Sequence, residues 1–228
     1  MKLLIDNQVS VDIMDNNGCT PLDIACYKGD LECTKILVLS GANLKNKDNN
    51  GATCLHKASI SGHLDCMEMI IKVDKSLVNE KDNFGRSPLF YASHFSKFDA
   101  IKLLIQNGSS ILEKDKFGAS FIHVIAFHNR VKILSKIMQM LDENTKQQLL
   151  SDKDKKGNTI LHLACKKNNL QFVQFLLENS KNVIEINSIT FHKQISPLHL
   201  ACFYTNEELV TLLIENGGFF YLFPSPHL

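Results

Sequence analysis

A segment of eleven residues, DNNGCTPLDIA beginning at Asp15, returns five times along the chain. The copies begin at Asp48 (DNNGATCLHKA), Asp82 (DNFGRSPLFYA), Asp115 (DKFGASFIHVI), Asp154 (DKKGNTILHLA) and Phe191 (FHKQISPLHLA). With the Thr or Ser of each copy as marker, the series is Thr20, Thr53, Ser87, Ser120, Thr159 and Ser196, spaced 33, 34, 33, 39 and 37 residues apart. Units of this length bury apolar surface against their neighbours, so a chain built of six of them is a stack.

Each unit has the same internal logic. Asp-x-x-Gly supplies a tight turn, in which glycine tolerates positive φ and the acid bonds nearby backbone amides. The Thr or Ser then caps a helix, with Pro in its first turn at Pro21, Pro88 and Pro197. A short apolar helix follows, as in Leu22 to Cys26, then a turn near Gly29 or Gly62 and a second helix such as Leu31 to Leu39. Gly41 and Gly108 stand where such helices stop.

The TPLHxA-like core, the period and the turn-helix-helix order together resemble the ankyrin repeat, over about residues 1 to 218. The resemblance implies an all-α solenoid of stacked turn-helix-helix units, with twelve main repeat helices and no substantial sheet. Residues 1 to 14 then hold a partial unit, since Leu3-Leu4-Ile5-Asp6-Asn7 matches Leu103-Leu104-Ile105-Gln106-Asn107. Phe121 and Ile160 replace Pro, Ile125 replaces Ala, and the last copy lacks both Asp and Gly, so those units are expected to be less regular. The six extra residues between the fourth and fifth copies predict a lengthened second helix near Ile133 to Leu141, with room for a short additional one. The apolar tail from Phe219 to Leu228 stands where another turn is expected, and is read as a loose end in preference to a folded-back cap.

Composition narrows function by exclusion. Twenty-five Lys and Arg balance twenty-four Asp and Glu, for a net charge of +1, so no bulk field favours nucleic acid or an anionic membrane. No apolar run approaches the roughly 18 residues of a membrane span. The seven cysteines form no CxxC pair, which argues against zinc or a disulfide framework and for a reducing, cytoplasmic or nuclear, setting.

Four histidines, His56, His123, His162 and His199, occupy one repeat position and are expected to bond across neighbouring turns; His63, His94 and His128 sit near helix ends or turns. Neither set has metal-ligand spacing. Cys26, Cys165, Cys202, Cys33 and Cys66 read as buried packing thiols, with Cys19 and Cys54 at the turns and Cys19 the more exposed. No phosphate-binding, nucleophile-elbow or kinase motif is present. The chain is therefore expected to be no enzyme and to need neither cofactor nor metal.

If the resemblance holds, the finger turns and the ends of the first helices face solvent. In the middle units these positions hold Phe84, Arg86, Phe95, Phe117 and Phe127, with Tyr27, His94 and His128 in the same series. Aromatics and Arg favour interface centres, so these residues are expected to anchor a protein or peptide. Lys155, Lys156, Lys166 and Lys167 belong to one unit and predict a local positive patch. The leading function is a non-catalytic, monomeric scaffold. The alternatives are a cytoplasmic segment of a larger channel, kinase or acyltransferase, and an inhibitory module that masks another protein's surface.

Overall fold

The repeated turn is closed by its own acid. In the computed structural model, which describes residues 10–180 and 183–219, Asp48 Oδ1 accepts from the amides of Asn50 (2.9 Å) and Ala52 (2.8 Å). Asp15, Asp82 and Asp154 do the same in their own turns. Most of the expected remnant at residues 1–14, and the tail beyond Phe219, lie outside the described residues.

The chain divides into two compact units, Met1–Lys116 and Phe117–Leu228. The first holds three repeats: α1 (Pro21–Lys28) with α2 (Leu31–Leu39), α3 (Cys54–Ser61) with α4 (Leu64–Val73), and α5 (Pro88–His94) with α6 (Phe98–Gln106). A 3₁₀ turn at Lys75–Asn79 follows α4. The second unit holds α7 (Phe121–Phe127) with α8 (Val131–Met140), α10 (Ile160–Lys166) with α11 (Leu170–Asn179), and α12 (Pro197–Phe203) with α13 (Glu207–Glu215). Helix α9 (Glu143–Ser151) is inserted between the first two pairs. No strand is present among the described residues.

Within each unit, first helices pack on first helices and second on second. The second residue of each first helix, Leu22, Leu55, Leu89, Ile122, Leu161 and Leu198, is buried, and so is the Ala position at Ala25, Ala58, Ala92, Ile125, Ala164 and Ala201. One row of large side chains and one row of small ones let neighbouring helices approach closely, each Leu contributing about 1.5–3 kcal/mol. Ile125 is wholly buried despite its size, and α7 and α10, without Pro, are seven residues long like α5 and α12. The expected irregularity of those two units is therefore absent from their first helices. The reason is the cap: Ser120 and Thr159 are bonded by His123 and His162 in place of pre-organisation by Pro.

Three other expectations change. The insertion gives the short additional helix, nine residues long, but α8 is not lengthened, because Asp142 caps a new start by accepting from the Thr145 amide at 2.9 Å. The sixth finger begins one residue earlier than the motif alignment: the Thr190 amide bonds the Ile195 carbonyl, Thr190 Oγ1 accepts from the Ile195 amide in place of an Asp, and Gln194 takes φ 49°. Cys202 is exposed, Cys33 half-buried and Cys54 buried. Cys26 and Cys165 are covered by the following repeat, whereas no repeat follows Cys202 among the described residues.

Nine residues after each marker the backbone turns left-handed. Gly29 and Gly62 hold this position first, then Ser96, Asn129, Asn168 and Thr205, with φ from 53° to 61°. Thr205 is β-branched and fits worst. Replacing Thr205 by Gly should raise stability by about 0.5–1 kcal/mol despite the entropy cost of glycine; an unchanged or lower urea midpoint would contradict this reading.

Candidate functional site

The fingers are zipped one to the next. The Asn49 amide donates to the Asn17 carbonyl (3.0 Å), Asn83 to Asn50 (2.9 Å) and Lys116 to Phe84 (2.8 Å) in the first unit; Lys155 donates to Phe117 (3.0 Å) and Phe191 to Lys156 (3.0 Å) in the second. Backbone groups are thus consumed along the row, and the side-chain amides of Asn49 and Asn83 add bonds to the Asn16 and Asn49 carbonyls of the preceding finger.

Histidine ties three of the caps to the next finger. His56 Nδ1 accepts from the Thr53 amide (3.1 Å) and its Nε2 donates to the Arg86 carbonyl (3.1 Å). His162 repeats this with the Thr159 amide (3.2 Å) and the Ile195 carbonyl (2.9 Å), and His123 with the Ser120 amide (3.2 Å) and the Asn158 carbonyl (3.3 Å). An amide donor at Nδ1 and a carbonyl at Nε2 require the neutral ring. Burial accordingly lowers the pKa of both His56 and His162 to about 4. The expected bonding across turns is present. In the third repeat Phe90 takes this position, and the buried Ser87 hydroxyl has no partner.

The residues singled out from the sequence fall as follows. In the first unit, Phe84 (42% exposed) and Phe95 (45%) face solvent, as does Tyr27. His94 is also exposed and meets the Phe95 ring edge-on at 4.9 Å. Arg86 is more restrained: its guanidinium lies 5.0 Å from the Phe84 centroid and its Nε is 3.8 Å from Asp115 Oδ2.

In the second unit, Phe117 (58% exposed) stands on a finger and Phe127 (40%) at a helix end, with His128 edge-on to Phe127 at 5.2 Å. The four lysines have different neighbours. Lys167 Nζ lies 3.9 Å over the Phe127 ring, a cation–π contact. Lys156 and Lys166 line a cleft of about 380 Å³ with His192 and Lys193 of the sixth finger, and Lys155 does not line it.

Sequence reasoning missed His192, Lys193 and Phe191 as site residues, while the Phe203-Tyr204 pair, a helix-end position in the sequence, is exposed as expected. The run Phe191-His192-Lys193 was the available signal, disguised because the sixth turn has neither Asp nor Gly. Among the described residues, no three His, Cys, Asp or Glu are placed to hold a metal ion, and no helix is long and apolar enough to cross a membrane.

Comparison with known proteins gives four findings. The family described as ankyrin repeats (3 copies) matches residues 1–82, 25–115 and 122–221. The human transient receptor potential cation channel subfamily A member 1 is 32% identical over 91 residues, 39% of this chain and 8% of the channel. Ankyrin repeat protein OPG189 of variola virus is 26% identical over 201 residues, 85% of this chain and 34% of the viral protein. The chain thus spans well under half the length of either relative. The crystal structure of the human ASB11 ankyrin repeat domain superposes with a TM-score of 0.72 at 23% identity, covering 88% of this chain and 85% of that one.

Proposed function

Because the chain belongs to the ankyrin repeat family, an all-α fold that generally serves as a protein–protein interaction module, we propose that it is a non-catalytic scaffold holding a protein or peptide on its finger tips and first-helix ends. One observation carries this reading. At these positions large aromatics remain in solvent, Phe84 and Phe95 in the first unit and Phe117, Phe127 and Phe203 in the second, although the core rows are filled without them. Exposed rings of this kind cost solubility and characterise interface anchors. Restrained side chains strengthen the case, since the Phe84–Arg86 and Phe127–Lys167 pairs lose little rotamer freedom on binding.

The test is affinity capture with the intact gene product, followed by alanine substitution of Phe84 with Phe95 and, separately, of Phe117 with Phe127. True anchors should each weaken binding by about 1–3 kcal/mol while the circular dichroism spectrum is unchanged. Undiminished binding in both double variants would move the contact surface off the fingers. The domain division follows the same reading, with residues 1–218 as the array; the family match beginning at residue 1 supports including residues 1–14.

A second reading has its own support. The match to a channel subunit favours a cytoplasmic ankyrin segment of a larger protein, with the effector region elsewhere. Full-length transcript sequence decides between the two.

A further inference from the structure

The cleft between the fifth and sixth repeats gathers three lysines and a histidine around one concavity. Several lysines elsewhere are matched to acids of a neighbouring segment: Lys47 to Glu80 (3.0 Å), Lys45 to Asp74 (3.3 Å), Lys153 to Glu185 (3.1 Å), and Lys81 to Glu113. Lys156, Lys166 and Lys193 have no such partner among the described residues, and no carboxylate lines the cleft they share with His192. The acid of the fifth finger is not among the lining residues; Asp154 Oδ1 accepts from the Lys156 and Asn158 amides and Oδ2 from the Asn158 side chain. The floor is apolar, formed by Ile195 and Leu200.

The cause lies in the sixth finger. Its extra residue and the left-handed Gln194 lengthen the loop, while the Phe191 amide stays zipped to the Lys156 carbonyl. His192 and Lys193 are thereby placed across from Lys156 and from Lys166 at the end of α10. Three ammonium groups around one concavity repel each other at a cost that an anionic occupant reverses, and low-dielectric walls strengthen its attraction.

We infer that this cleft receives an acidic segment of a protein partner, carboxylates meeting the lysine rim and one apolar side chain resting on Ile195 and Leu200. The inference deepens the scaffold reading and rests on it, giving the partner a chemistry. It also separates the lysines: Lys156, Lys166 and Lys193 meet the acidic segment, whereas Lys155 and Lys167 lie outside the cleft.

The experiment uses the full chain and a fluorescein-labelled peptide carrying four glutamates around a central leucine, followed by anisotropy. The peptide should bind, and its affinity should fall as salt rises through about 0.15 M, where charges are screened over about 8 Å. The same peptide with glutamines should bind at least about tenfold more weakly. The K156E/K193E variant should lose about tenfold or more, and K72E/K132E, exposed on second helices and with the same change in net charge, less than about twofold. Equal losses in the two variants, binding of the glutamine peptide, or no binding at all would overturn the inference. So would preferential capture by phosphatidylserine vesicles, which would make the cleft a membrane contact. If the peptide fails while the aromatic variants still release a captured partner, the cleft alone is wrong and the scaffold reading stands.

Discussion

Acidification from pH 6.5 to 4.5 should remove about 2–3 kcal/mol of stability for each of His56 and His162, far more than surface charges contribute over that range. Both rings are neutral in the folded chain, with pKa lowered to about 4 first by burial and only partly offset by the carbonyl each ring faces. In the unfolded chain they return to about 6.5. Above that value neither state binds the proton and nothing is gained or lost. Below it the unfolded chain takes up protons that the folded one refuses, so stability falls by up to about 1.4 kcal/mol per pH unit per histidine until the folded pKa is reached. Asp82, Lys47 and Asp48 act on His56, and Lys153 and Asp154 on His162, without reversing the shift. Urea unfolding between pH 7 and 4.5 measures the slope. H56N and H162N retain an acceptor near Nδ1 but cannot titrate, and each should flatten the profile. A slope that both variants leave intact would assign acid sensitivity to other groups.

Replacing Gly51 by Ala should cost about 3 kcal/mol, against about 1 kcal/mol for the same change at Gly108. The two glycines have nearly the same left-handed backbone, φ 80° and 90°. Their surroundings differ. A Cβ at Gly51 would lie 2.7 Å from the Asn83 amide nitrogen and 2.5 Å from its side-chain oxygen, whereas one at Gly108 would meet nothing within 4 Å. The Gly51 variant must therefore push the third finger away and stretch the Asn83-to-Asn50 bond of 2.9 Å. Both residues lie in the first unit, so their difference in denaturation midpoint isolates finger-to-finger approach from backbone strain. Equal losses would show that the zipper tolerates displacement.

The fold was legible because the period, the caps and the buried rows are all local patterns in sequence. Thr20-Pro21 and its counterparts announce helix starts, and the histidine at one fixed position announces its bond across turns. What could not be read depends on geometry that spacing does not encode. Asp142 begins the short additional helix for which the sequence had room, while the expected lengthening of α8 is absent, a choice decided by one capping bond. The four lysines of the fifth repeat share a segment but point to different neighbours, Lys167 to an aromatic ring and two others to a cleft. That cleft is completed by a finger whose sequence, lacking Asp and Gly, gives no turn signal. Cys202 follows its repeat position in sequence but not in burial, because burial there comes from the next repeat.

Helix α9 shows where such a chain tolerates growth. Side-chain bonds join some loops that follow second helices, as Asn79 does to Gly108 and Ser110, while the fingers and the capping histidines hold consecutive repeats in register at the opposite end of the repeat. The extra residues enter after the second helix, on the other side of the repeat from those bonds, and the fifth finger still meets the fourth through the Lys155-to-Phe117 bond at 3.0 Å. Length has thus been added without disturbing register. The joint at Leu141-Asp142 is a natural splice point, at which a reporter, an epitope or a second binding element placed between α8 and α9 leaves the hydrogen-bonded spine untouched.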